Sequence, residues 1–147
     1  YCLVQFCDLA VAAENADFFY PEAQLGFCGG LIASTAARIP HKIAMELMLT
    51  GKHFDAQRAY EVGMVNQVVP VGKQVDVAMD YAKILANSAP LVVGMIKRFV
   101  RDTVTPKGPS ELHALARAEL FTIRNSEDQQ EGGAAFREKR TPIFKGR

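Results

Sequence analysis

At 147 residues with a formal net charge of +1, the chain fits one domain or part of one, and its near balance of charge excludes a nucleic-acid surface built on bulk positive charge. Hydrophobic residues make up 49% of it, enough for a sizeable core, while no apolar run reaches the roughly 20 residues of a membrane span, which points to soluble material. Three cysteines, Cys2, Cys7 and Cys28, have no metal-like spacing and point to free thiols in a reducing, cytoplasmic compartment.

The chain opens inside an apolar run, Tyr1-Cys2-Leu3-Val4-Gln5-Phe6-Cys7, with no capping signal or polar leader. The expectation is a piece whose N-terminal part lies upstream; Leu3 to Phe6 is too short to assign on its own, the end of a buried helix being one option. Asp8 to Ala13 alternates weakly and reads as a strand, and Glu14-Asn15-Ala16-Asp17 is turn chemistry. Phe18 to Tyr20 reads as a short second strand, since aromatics favour a half-buried pleated surface and Pro21 has no N–H for a ladder. Glu22 then falls just past a strand end in apolar company. It is either a surface carboxylate on a turn or a group in a desolvated pocket, where a raised pKa suits general acid–base work. Gly29 and Gly30 precede the next helical pattern and either bring bare backbone N–H groups near a ligand or only allow a tight turn. Cys28 is read as a small buried hydrophobe or a reactive thiol.

Leu31 to Ile39 reads as a helix stopped by Pro40. His41 to Thr50 follows, apolar on most sides and so expected to be largely buried, and Gly51 ends it. Asp55 caps a short helix from Ala56 to Val62, terminated by Gly63, and Met64 to Val69 is a strand closed by Pro70. Gln74 to Asn87 is amphipathic, with Val77, Ala78, Tyr81 and Leu85 on one face. Pro90 opens a helix running to Val104, Ser110 caps one running to Asn125, and Ser126 caps one from Glu127 to about Arg140. The basic cluster Lys97, Arg98 and Arg101 reads as a solvated helix face. His41, His53 and His113 have no carboxylate or nucleophile at a readable spacing, so no triad is assigned. Helices after Gln74 have narrow apolar faces and little sheet to lie on, a pattern that fits docking on a partner subunit. The expected division is residues 1–73 as an α/β core and residues 74–147 as a helical oligomerisation region.

Four segments together resemble the crotonase, or enoyl-CoA hydratase/isomerase, superfamily. They are Cys7-Asp8-Leu9-Ala10-Val11-Ala12-Ala13-Glu14-Asn15-Ala16-Asp17-Phe18, Pro21-Glu22-Ala23-Gln24-Leu25-Gly26, Leu49-Thr50-Gly51 with Phe54 to Asn66, and Phe136-Arg137-Glu138-Lys139-Arg140-Thr141-Pro142-Ile143-Phe144. The resemblance implies an α/β fold: a crotonase-like spiral of strand-strand-helix turns with a C-terminal helical trimerisation region, here lacking its N-terminal part. It implies an acyl-CoA thioester substrate, no cofactor, no metal, and assembly as a homotrimer or homohexamer. The shared chemistry is stabilisation of a thioester enolate by backbone N–H groups.

By the same resemblance Glu22 is the carboxylate that exchanges a proton at carbon. Leu25, Gly29, Gly30 and Lys139 are the substrate-binding candidates, Lys139 toward CoA phosphates, and Leu120 or Phe121 lies where some members contact the adenine. Phe136 and Phe144 are expected to be packing residues. The family's other glutamate, the first of the pair and the one that holds the water, would fall on Cys2, and no Glu occurs between Tyr1 and Ala13. A thiol is a poor substitute for that base. The implied activity is hydratase-type, with a single-carboxylate isomerase or a non-catalytic assembly module as alternatives, and the piece alone is expected to be inactive.

Overall fold

A computed structural model describes residues 2–27, 35–104, 117 and 121–147, with the backbone only at 2 and 104. The elements run α1 (Cys2–Phe6), β1 (Val11–Ala13), β2 (Asp17–Phe18), α2 (Glu22–Leu25), α3 (Thr35–Arg38), α4 (His41–Thr50), β3 (Phe54–Asp55), α5 (Ala56–Glu61), β4 (Gln67–Val69), α6 (Gln74–Ala86), α7 (Pro90–Phe99) and α8 (Glu127–Glu138). Val100–Val104 continues α7 as a π-helical stretch, so the helix expected to reach Val104 changes its winding after Phe99. A helical segment also covers residues 121–124.

Two short ladders organise the first half. β1 pairs parallel with β4, Val11 opposite Gln67 through Ala13 opposite Val69. Asn66 extends that pairing by one residue: its side-chain oxygen accepts from Ala10 N–H at 2.8 Å, and its own N–H donates to Ala10 O at 2.8 Å. β2 pairs antiparallel with β3, placing Phe18 opposite Phe54 and Asp17 opposite Asp55. Two carboxylates directly opposite each other repel. Each finds separate compensation: Asp55 caps α5 by accepting from Arg58 N–H at 2.7 Å, and Asp17 meets His53 Nδ1 at 2.5 Å. The sequence reading missed β3, because its two residues were read as part of a turn and a cap. It also made the strands too long. Only three residues of Asp8 to Ala13 and three of Met64 to Val69 pair, and β2 is Asp17–Phe18 rather than Phe18 to Tyr20.

The core gathers where these elements meet. Phe18, Tyr20, Leu47, Phe54, Ala56, Ala59 and Val65 form one buried cluster with Ala12. Phe54 and Leu47 are its largest fully buried side chains, each contributing about 1.5–3 kcal/mol by burial. Alanines at 44, 56 and 59 let helices approach closely. Helix α4 departs from expectation: only Ala44 and Leu47 are buried along it, and Leu49 is exposed. In the second half, α6 lies on β1 through Gln74, Val77 and Tyr81, while Ala78 and Leu85, expected on the same face, are exposed. Neither α6 nor α7 buries a residue. Of the helices expected at Leu31 to Ile39 and Ser110 to Asn125, only residues 35–39, 117 and 121–125 fall within the described residues.

Candidate active site

The aromatic stretch after β2 leads straight to a carboxylate. Tyr20 is buried, Pro21 turns the chain, and Glu22 opens helix α2, where the sequence suggested only a turn. A four-residue helix has too few hydrogen bonds to persist alone, so its stability comes from its surroundings. Gly26 ends it at φ +65°, and both Gly26 and Phe27 donate to Glu22 O.

Three contacts hold α2. Gln24 Nε2 donates to Thr50 O at 2.7 Å, satisfying a carbonyl that the end of α4 leaves unpaired. Gly51 sits beside that amide, and a Cβ there would lie 2.9 Å from Gln24 Nε2. On the other side, a Cβ on Gly26 would come within 2.5 Å of Asp128 O, and one on Gly132 would collide with Leu25 O. Helices α2 and α8 therefore meet backbone to backbone at two reciprocal glycines, more than 100 residues apart in sequence. This is close approach that only glycine allows.

The C-terminal tail folds back along α8. Asp128 accepts from Lys145 N–H at 2.6 Å and Gly146 N–H at 2.8 Å, and Asp128 N–H donates to Arg147 O at 3.2 Å. Glu131 takes Arg140 in a bidentate pair at 2.5 and 2.9 Å and also accepts from Ile143 N–H at 2.8 Å. The Arg140 guanidinium, with the Ile143 N–H second, holds the Glu131 carboxyl down at about 2.

Between α2, α4, residues 121–126 and the returning tail lies a cavity of about 840 Å³. Glu22, Tyr20 and Phe27 line it beside Met45, Met48 and Ile123. Glu22 Oε2 is shielded from solvent and has no hydrogen bond of ordinary geometry among the described residues. Burial pushes the carboxyl above its usual range; the Glu22 backbone and the Tyr20 side chain pull less strongly the other way. Asp128 is a second carboxylate on the wall, but its oxygens are committed to the tail. A second cavity of about 870 Å³ lies against α1 and α7. There Asp8 pairs with Lys97 at 2.6 Å, and Arg38 donates to Cys7 O at 3.0 Å. The first cavity is the candidate site because it holds the shielded carboxyl.

The other sequence candidates fall in different places. Leu25 is half-buried on α2, its carbonyl against Gly132, and is not a wall of the cavity. Gly29, Gly30, Cys28, His113 and Leu120 lie outside the described residues, as does the Cys2 side chain. Lys139 ends α8 in the left-handed conformation at φ +54°, exposed and away from the cavity lining. Phe121 lines the cavity while 71% exposed. Phe144 touches the Gly26 position, whereas Phe136 is 72% exposed. His53 has a carboxylate partner after all: Asp17 lies 36 positions away, and the imidazole stacks on Phe19 at 4.4 Å. That pairing depends on the β2–β3 register, which spacing did not reveal. The sequence reading also missed Met45, Met48, Asp128 and the returning tail; the available signal was that α4 is apolar on more sides than one core needs.

A shielded carboxyl with a raised pKa stands at the wall of an apolar cavity in a mixed α/β fold, and comparison with known proteins gives the family. The whole chain, residues 1–147, matches the family described as Enoyl-CoA hydratase/isomerase. The chain belongs to that family, within the crotonase superfamily. It is 37% identical over 146 residues to a carnitinyl-CoA dehydratase of Proteus mirabilis (strain HI4320), covering 95% of this chain and 56% of that protein. The fold superposes on a carnitinyl-CoA dehydratase from Mycobacterium avium 104 with a TM-score of 0.90 at 34% identity, covering 99% of this chain and 58% of that one. It also superposes on a methylmalonyl-CoA decarboxylase with a TM-score of 0.81 at 30% identity, covering 99% and 57%. The chain thus spans a little over half the length of these relatives.

Proposed function

We propose that the protein processes acyl-CoA thioesters by stabilising a thioester enolate, with Glu22 moving the proton at the carbon next to the carbonyl. The observation that carries this reading is the Glu22 carboxyl, raised in pKa by burial and lining an apolar cavity with one oxygen shielded from solvent. A carboxyl whose pKa is raised by burial is better suited than an ordinary one to accept and return a proton. The thioester is substrate, and the reaction asks for no further cofactor.

Hydration of a conjugated enoyl thioester is the first form of this reaction. Isomerisation by a single carboxylate is the second, and one observation favours it: α1 carries Cys2 and no glutamate. The test is an assay of the full-length protein on a 2-enoyl-CoA for water addition and on a 3-enoyl-CoA for double-bond migration. Turnover of either supports the reading and tells the two forms apart. Binding of neither thioester would make the chain a non-catalytic assembly module.

The helical region 74–147 serves assembly in this reading, as a homotrimer or homohexamer in the cytoplasm. Its support is exposed apolar surface, with Leu91 86% exposed on α7 and Ile84 65% exposed on α6. No helix among the described residues is long and apolar enough to cross a membrane.

A further inference from the structure

Helix α4 has two apolar faces, and core packing accounts for one. Ala44 and Leu47 are fully buried. Met45, Met48 and Leu49, spaced at i, i+3 and i+4, form another face that stays half-buried or exposed and lines the Glu22 cavity. Phe27 and Ile123 extend the same apolar wall.

The polar groups on the wall are turned to other work. Asn125 Nδ2 donates to Phe121 O at 2.7 Å, and Ser126 Oγ donates to Ile123 O at 2.7 Å and accepts from Gln129 N–H at 3.1 Å. Asp128 is held by two tail N–H groups, and Arg147 Nε reaches Glu127 at 3.3 Å. Glu22 apart, a charged or strongly polar acyl substituent entering here would give up water for few partners among the described residues. The volume, about 840 Å³, lies high in the roughly 300–1,000 Å³ range of small-molecule sites. A four-carbon acyl group leaves most of such a wall uncovered.

We propose that the Met45–Met48–Leu49 face is the seat of an extended apolar acyl chain, so that the enzyme selects medium-chain, uncharged acyl thioesters over four-carbon and cationic ones. The proposal rests on the reading of Glu22 as the proton-transfer group of the same cavity. Methionine suits this seat, because its unbranched, polarisable side chain adapts to a chain of varying length. Each buried methylene is worth about fourfold in binding.

The test uses the full-length protein and trans-2-enoyl-CoA esters of four and eight carbons, with a carnitinyl-CoA thioester as the cationic probe. The expected kcat/KM is higher for eight carbons than for four, by about fourfold for each added methylene that the wall covers and so by up to about 250-fold, and higher than for the carnitinyl thioester. Met48→Gln, with Met45→Gln as a second variant, lowers the eight-to-four ratio at least tenfold. A ratio of one or less, a preference for the carnitinyl thioester, or a ratio untouched in both variants overturns the proposal while leaving Glu22 chemistry in place. So does a change in subunit number in the variants with the ratio unaltered, which would seat a second copy on this face. No turnover of any ester overturns the underlying reading of Glu22 itself, and this proposal with it.

Discussion

Helix α2 is four residues long and is gripped on both sides; α6 and α7 are 13 and 10 residues long and carry no fully buried residue. The short helix lacks the length for intrinsic stability, yet it is the better placed of the two. Gln24 ties it to the end of α4, and the reciprocal Gly26 and Gly132 press it onto α8. The long helices have strong local signals, such as Pro90 at the start of α7, and present apolar side chains outward. Local propensity decides that a helix forms; backbone-level contacts decide whether it holds a side chain where chemistry needs it. Glu22 rides on the element of the second kind.

Adjacent glycines of α8 offer the largest break in this contrast. Gly132→Ala drives a methyl into Leu25 O and forces α8 off α2, at a cost of about 1–3 kcal/mol. Gly133→Ala meets only the Arg137 guanidinium at 3.5 Å, an ordinary contact, and gains about 0.5–1 kcal/mol of helix propensity. Thermal denaturation should move in opposite directions for the two neighbours; equal shifts would show that the close approach does not hold α2.

Acid should loosen the same grip from the tail side. The Glu131 carboxyl is depressed to about 2 by Arg140 and the Ile143 N–H. A depressed carboxyl contributes stability that is present above its ordinary value of 4.5 and is lost as pH falls from there toward about 2. The melting temperature should drop across that window, and Glu131→Gln should flatten the drop. A variant with the same acid profile as the parent would remove the tail pairing from the account.

Smaller effects sharpen the other side. Lys139 occupies the left-handed cap of α8, a conformation that favours glycine. Lys139→Gly should therefore change stability by no more than about 1 kcal/mol, in the stabilising direction, and any loss of CoA-ester affinity would then report the side chain rather than the cap. On α6, Ile84→Lys should leave the fold within about 0.5 kcal/mol by chemical denaturation, because the side chain is exposed. A large loss of fold stability there would mean that α6 is anchored as firmly as α2.

Much of this arrangement was legible in the chain. The caps at Asp55 and Ser126 and the stops at Gly51 and Gly63 are local rules, and all three helices formed where those rules put them. Glu22 was legible as a candidate because a carboxylate after an aromatic run and a proline is unusual company. What could not be read depends on partners distant in sequence. The α2 helix needs α8, the Asp17–His53 pair needs the β2–β3 register, and the cavity wall at Met45 and Met48 needs residues 121–126 to face it. The half-hidden clue was α4, too apolar for one buried face.

The central claim is that burial tunes Glu22 for proton transfer, and Glu22→Gln in the full-length protein tests it most directly. Ionising a carboxyl whose folded pKa is raised costs stability as pH rises through that pKa, so the amide variant should be no less stable than the parent at neutral pH. Acyl-CoA binding should persist, while turnover falls by about 10²- to 10⁴-fold. Turnover within tenfold of the parent, in a variant that folds and binds the thioester, would contradict the account.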